Sequence, residues 1–292
     1  MVDPLANALG AHFAHHLERV ERGLDDIARR LHGPEPLPDA MRYALLGGGK
    51  RIRPVLCLAT CTALGAQAED ALAPALALEL VHTYSLVHDD LPCMDDDDER
   101  RGRPTLHRVH GEDIAILAGD ALLTEAFLVI ACDERLPHPT RTACARHLAT
   151  AAGASGMVGG QVRDIRVPER SAEAFRTMHA EKTGALFVAA TTMAAEVARS
   201  PQPLVDAMAR FGAAIGEAFQ VADDLLDNAD PTSAHEDDVN LVALLGREET
   251  LRLLARCTTT ALEALAPLEQ HAYPLRALAR AVQDRVPQHH AS

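Results

Sequence analysis

The chain has 292 residues, 48% of them hydrophobic, and a formal charge of −14, which is room for one large domain or two small ones with a sizeable core. That charge argues against a nucleic-acid partner and against electrostatic docking on anionic membranes, since both need basic surface. With no Trp, three Tyr and six Phe, the core falls to Ala, Leu and Val, a composition that favours closely packed helices over strands.

Residues 5–31 have helical periodicity and stop near Gly33-Pro34, with Pro36 and Pro38 marking a loop. A short helix over 38–46 leads into Gly47-Gly48-Gly49. Another begins near Pro54, a residue tolerated in a first turn. Residues 65–70 read as a turn, 71–90 as a long apolar helix, and 100–104 as a basic, flexible stretch. Helices are expected over 112–132, 140–154, 171–198 and 202–228, then two or three shorter ones within 239–284. No strand, repeat or low-complexity linker stands out. The expectation is an all-α, single-domain bundle over 1–292, with 1–4 and 287–292 as frayed ends. Glu79, Asp120 and Glu125 interrupt the longest apolar segments, so no membrane span is expected. The start Met-Val-Asp-Pro-Leu lacks a basic, then apolar leader, and the six cysteines form no CxxC pair. A cytoplasmic location is therefore expected.

Two aspartate clusters dominate the chemistry. Asp89-Asp90 and Asp95-Asp96-Asp97-Asp98 end the 71–90 helix, and Asp223, Asp224 and Asp227 follow the apolar approach Gly216-Glu-Ala-Phe-Gln-Val-Ala222. Dense carboxylates flanked by apolar helix repel one another and call for a counter-charge. A hard cation such as Mg²⁺ takes oxygen ligands and keeps positions open for phosphate. The competing reading is a pair of solvated acidic faces. The first cluster leaves the two readings level; the second tips the balance toward metal.

Cations are scarce and localised. Lys50 and Lys182 are the only lysines. In Gly48-Gly49-Lys50-Arg51-Ile52-Arg53-Pro54, glycines let backbone N–H groups approach an anion, and Lys50 and Arg53 sit at a helix start that favours one. Taken on its own, a C-cap glycine turn with surface cations is the safer reading there. His82 lies seven residues before Asp89, two helical turns, so both share a face. A lone helix histidine is more often structural, and His88, directly before Asp89, has the same ambiguity with less support. Arg100-Arg101 either bind phosphate or neutralise 95–98. Gly159-Gly160-Gln161, followed by Asp164, marks a close helix approach. Lys182-Thr183 sits in a small, apolar helix, where a buried Lys needs an anion and Thr183 adds a hydroxyl donor. Gln220 lies one turn before Asp224.

These motifs together resemble the trans-isoprenyl diphosphate synthases of the polyprenyl synthetase family, from about residue 40 to 246. The likeness rests on Gly-Gly-Lys-Arg-Ile-Arg-Pro, on Val81-His82 through the first aspartates to Arg103-Pro104-Thr105, on Lys182-Thr-Gly-Ala-Leu, and on Phe219-Gln-Val-Ala-Asp-Asp-Leu-Leu-Asp. The resemblance implies helices around a central cavity, a homodimer, and isopentenyl and allylic diphosphates as substrates. It implies Mg²⁺, three ions per site, held by Asp89, Asp95 and Asp223 on opposite walls, with Asp90, Asp224 and Asp227 in support. It puts Arg100, Lys182, Thr183 and Gln220 on the allylic diphosphate, and Lys50, Arg53, His82 and Arg101 on isopentenyl diphosphate. Tyr84, with Ser85, would set product length, giving farnesyl diphosphate, with geranylgeranyl diphosphate as the rival. The pattern breaks after Asp227. The family places lysines there, whereas 228–246 has neither Lys nor Arg, leaving His235 or Arg247 as candidate substitutes. Three other readings compete. A non-catalytic subunit would not need both aspartate motifs. A class I terpene cyclase has no use for Lys50, Arg53 and His82. Calcium buffering lacks EF-hand spacing.

Overall fold

The central helices are apolar nearly all round, which suits helices packed on every side. In the computed structural model, which describes residues 4–166, 171–228 and 240–287, α3 (Ile52–Ala63), α4 (Leu72–Asp89) and α10 (Ala185–Val197) are such elements, each buried along most of its length. α10 packs against α3, α4 and α11 (Gln202–Asp227), so one core helix spaces the two aspartate-bearing helices. α1 (Pro4–Arg30), α2 (Leu37–Leu45), α6 (Glu112–Ala131), α7 (His138–Ala152) and α13 (Arg247–Ala264) surround them, and α14 (Tyr273–Asp284) lies across α1, α11 and α13.

The structure departs from expectation in three places. Residues 100–104 are not loose. Glu99–Arg100 (β1) and Arg103–Pro104 (β2) pair antiparallel across Arg101 and Gly102, whose φ angles of 55° and 72° suit a two-residue hairpin turn. Strands of two residues carry no alternation to read. The predicted helix over 171–198 is three pieces: α9 (Ala172–His179), a π-helical turn at Ala180–Gly184, then α10. Such turns often sit at functional sites, and this one holds Lys182 and Thr183. Two helices were not among the expected elements, α5 (Leu106–His110) and α8 (Met157–Arg166), although a close helix approach was expected at Gly159-Gly160. In α8, Gly159 and Gly160 lower helix propensity.

α6 bears on the expectation of no membrane span. It is the one described helix long and apolar enough to cross a membrane by length and composition, a test that the core helix of a soluble protein also passes. One face packs on α4, while Ile116, Leu117 and Leu128 stay exposed.

Candidate active site

Arg51 organises the first part of the site. Its backbone is left-handed, with φ of 49°, which costs about 1–2 kcal/mol for a non-glycine residue. Buried ionic contacts hold it there. Its guanidinium donates to Glu21 at 2.9 Å, to Glu79 at 2.7 Å and to the Leu45 carbonyl at 3.1 Å. Glu79 belongs to α4, so the glycine loop is tied to the helix that carries His82 and Asp89.

That anchoring gathers cations. The Arg53 guanidinium lies 5.1 Å from the Phe187 ring centroid, and its buried Nε has no hydrogen-bond partner among the described residues. Burial lowers its pKa to about 10, Glu79 and Asp223 oppose that shift, and Arg101 reinforces it. Arg101 donates to the Gly48 carbonyl. At Gly49, with φ of 131°, a Cβ would meet Arg101 Nη1 at 2.5 Å, so only glycine admits this approach. His82 is held well below its usual pKa by burial and then by Arg53, Arg101, Arg51 and Arg100. A neutral imidazole beside several guanidinium groups, one of them with its buried Nε unpartnered among the described residues, suits an anion. Lys50 belongs to the same neighbourhood, because its charge reaches Asp223.

The first carboxylate wall is the C-terminus of α4. The Leu91, His88 and Asp89 carbonyls accept from the following loop, and the Asp95 amide donates to the Asp89 carbonyl at 2.8 Å. The four-residue gap thus folds Asp95 back beside Asp89. Burial pushes Asp89 up to about 6, against the pull of Lys182 and with Asp95 adding to the rise. Burial also raises Asp95, with Lys182 again opposing. The Lys182 ammonium contacts Asp164 at 2.5 Å. It is part-buried rather than enclosed. α8 delivers Asp164 through the close approach expected at Gly160, where a Cβ would meet the Lys182 amide nitrogen at 2.2 Å. Both polar atoms of the Gln161 amide are buried without partners among the described residues.

Asp90 and Arg100 face each other. Arg100 Nε donates to Asp90 at 2.6 Å and Nη2 reaches Asp97 at 3.2 Å, so neutralisation of the acidic run describes Arg100 in this state. His88 is structural, with Nε2 at 3.1 Å from the Ile116 carbonyl on α6. Tyr84 is buried one turn before it, with ring centroids 5.7 Å apart, and its hydroxyl is pushed up to about 12 by burial and Asp89. Ser85 Oγ donates to the His82 carbonyl at 2.9 Å, a helix back-bond.

The second wall is the end of α11. Burial raises Asp223, opposed by Arg285 at 2.7 Å and reinforced by Asp227. Asp224 turns away to accept from the Leu241 amide at 3.0 Å, at the start of α12 (Leu241–Leu245), and burial pushes it up to about 6. Gln220 and Thr183 lie part-buried on α11 and the π-helical turn. Arg247 donates to the Leu225 carbonyl at 3.2 Å, while His235 lies outside the described residues. Arg285 is the functional candidate that sequence reasoning missed. Among many arginines, nothing in Ala281-Val-Gln-Asp-Arg-Val286 distinguishes it.

Among the described residues no three His, Cys, Asp or Glu side chains converge into a complete metal cage. The donors are hard oxygens on separate elements, and at Asp89 and Asp95 burial and neighbouring carboxylates work against ionisation. This set fits an ion that completes its shell with water and diphosphate. A concavity of about 1040 Å³ lies elsewhere. It is bounded by α1, α2, α4 and α6, and no carboxylate of either wall lines it.

The polyprenyl synthetase profile matches residues 34–239, most of the chain. The chain belongs to the polyprenyl synthetase family. It is 40% identical over 227 residues to the farnesyl diphosphate synthase of Bacillus subtilis, covering 76% of this chain and 77% of that one. It is 44% identical over 212 residues to a chloroplastic geranylgeranyl pyrophosphate synthase of Capsicum annuum, covering 71% of this chain but 57% of that longer protein. A solved FPP/GFPP synthase structure from Zymomonas mobilis superposes with a TM-score of 0.81 at 35% identity, over 92% of this chain and 99% of that one. For a polyprenyl synthetase, the two aspartate walls and the cation pocket of this chain are the parts that bear on chemistry.

Proposed function

We propose that residues 1–292 form one catalytic domain, a short-chain trans-prenyltransferase that joins isopentenyl diphosphate to dimethylallyl and geranyl diphosphates, giving farnesyl diphosphate. The observation that carries the proposal is the separation of two anion-binding environments. Asp89, Asp95 and Asp223 suit a metal-bound diphosphate, while Arg53, Arg101, His82 and Lys50 suit a second diphosphate without metal. Mg²⁺, three ions in this reading, would be held by Asp89, Asp95 and Asp223 and would make the allylic diphosphate a better leaving group.

The chain's own residues do the remaining work. Lys182, placed between Asp164 and the first wall, neutralises charge that grows on the leaving diphosphate as the allylic C–O bond breaks. Thr183 and Gln220 offer donors on the same side. Arg100 joins them by exchanging Asp97 for a diphosphate oxygen, and Asp90, Asp224 and Asp227 hold the neighbouring backbone and side chains. Lys50, Arg53, Arg101 and His82 orient isopentenyl diphosphate so that its double bond meets the allylic carbon. A C–C bond forms, and the released diphosphate accepts the proton that restores a double bond. The apolar helix faces exclude water, which would otherwise convert the cation to an alcohol.

Tyr84 lies five residues before Asp89, about 7.5 Å along the helix axis, and Ser85 beside it. In this reading the Tyr84 ring closes the floor at fifteen carbons. Similarity to plant geranylgeranyl pyrophosphate synthases favours a second reading, a twenty-carbon product. Incubation with Mg²⁺, isopentenyl diphosphate and each allylic primer, followed by mass spectrometry, tests both. Fifteen-carbon product is expected from wild type and longer product from Tyr84→Ala. An unchanged length in the variant removes Tyr84 from the account, and no condensation at all removes the function.

The exposed apolar face of α6 reads as an interface with a second copy rather than as a membrane span, because Asp120 and Glu125 interrupt it. A homodimer is the expected state, and Leu117→Glu is expected to shift the sedimenting species to monomer. A wild-type monomer at micromolar concentration would count against it. All six cysteines are free thiols, which fits the cytoplasm.

A further inference from the structure

Arg285 follows α14 directly and reaches back to the second aspartate wall. Its Nη2 lies 2.7 Å from Asp223 Oδ1, and its side chain is only 10% exposed. The guanidinium rests on the Phe219 ring, 4.9 Å from the centroid, and Phe219 sits on α11 one turn before Asp223. One face of the fork is therefore fixed. The other end is not used, since Nη1 is buried and has no partner among the described residues.

We propose that Arg285 is a resident counter-ion for Asp223 that gives way to a divalent cation and then turns its free guanidinium edge onto the diphosphate. This rests on the metal-and-diphosphate reading of the site given above.

Three observations support it. Asp223 stands near Asp227, so an unpaired Asp223 would be a buried charge beside a like charge. Arg285 occupies Asp223 Oδ1 at 2.7 Å, and a metal ion on that oxygen would be repelled by the guanidinium, so the two cations compete for it. A guanidinium has donors to spare for a planar, two-oxygen acceptor, and one Asp223 oxygen leaves that capacity unfilled. The sequence adds a reason for the arrangement. Residues 228–246, directly after Asp227, contain no Lys or Arg, and the cation in direct contact with Asp223 comes from the other end of the chain.

The test uses the full chain, with Mn²⁺ as the probe, followed by electron paramagnetic resonance and calorimetry. Wild type, Arg285→Gln, Arg285→Lys and Asp223→Asn are compared with and without inorganic pyrophosphate. Without pyrophosphate, Arg285→Gln is expected to bind Mn²⁺ about fivefold more tightly than wild type, because its internal competitor is gone. With Mn²⁺ saturating, the same variant is expected to bind pyrophosphate more weakly. Arg285→Lys keeps the charge but not the fork, so its Mn²⁺ affinity should match wild type while its pyrophosphate affinity falls. It also serves should Arg285→Gln fail to fold. Equal or weaker Mn²⁺ binding by Arg285→Gln, or unchanged pyrophosphate binding by Arg285→Lys, overturns the counter-ion role. If wild type and Asp223→Asn bind Mn²⁺ with pyrophosphate equally, or neither binds, the metal reading of the second wall fails and this inference with it.

Discussion

Asp89→Asn is expected to lose turnover by about three orders of magnitude or more while remaining folded, since a metal that stabilises developing charge supplies several kcal/mol. The folded state of this variant is predicted from the same residue. Burial raises the Asp89 pKa to about 6 from a model-peptide value of 3.8, so the native chain holds that proton more tightly than the unfolded chain does. With no cation present, stability therefore falls as pH rises through the window between those values. An amide removes the ionisation. In chelator at neutral pH, Asp89→Asn should melt at or above wild type, by about 2–4 °C for each kcal/mol relieved. Steady-state assay beside a thermal melt separates the cases. An active variant excludes Asp89 as a ligand, and a dead variant that melts far below wild type shows only that folding was lost.

The second large effect is expected at Arg53. Arg53→Leu should raise the KM for isopentenyl diphosphate by about 100-fold or more, with a much smaller change in the KM for the allylic primer. The basis is the loss of a charge-assisted, two-oxygen contact in a site shielded from water, at about 1.5–3 kcal/mol per hydrogen bond. Its orphaned Nε indicates a ligand rather than a structural partner. Arg53→Lys tests the geometry, because an ammonium keeps the charge and the Phe187 contact but cannot fork. It should recover part of the loss. Equal effects on both substrates would mean that Arg53 does not distinguish the two diphosphates.

Most long helices were legible in the sequence because their apolar periodicity and Pro/Gly boundaries are local signals, as at α4 and α11. The close approach at Gly160 was legible for the same reason: consecutive glycines in a helix mark a neighbour. Other parts depended on tertiary context. The role of Asp90 could not be read from its place in the motif, because its nearest cation arrives through a hairpin whose strands are two residues long. His82 and His88 look alike in sequence. They differ only in what packs against them, arginines for one and the Ile116 carbonyl for the other. The π-helical turn at Ala180–Gly184 shifts the hydrogen-bond pattern without ending the helix, and the lower helix propensity of Thr183-Gly184 is its one local sign. Arg285 illustrates the widest gap, since 61 positions separate it from Asp223 and no spacing rule joins them.

The Arg51 contact to Glu79 has a geometric outcome. Glu79, His82 and Asp89 ride on one uninterrupted rod, so in the proposed reading the distance between the two reacting substrates is measured out in units of helical rise, about 1.5 Å per residue. Adding or deleting a single residue between His82 and Asp89 would swing one around the rod by about 100° relative to the other. Reach can be tuned by the bulk of the side chains that line this gauge, but its length is not free to drift, which places size changes in Tyr84 and its neighbours rather than in the backbone.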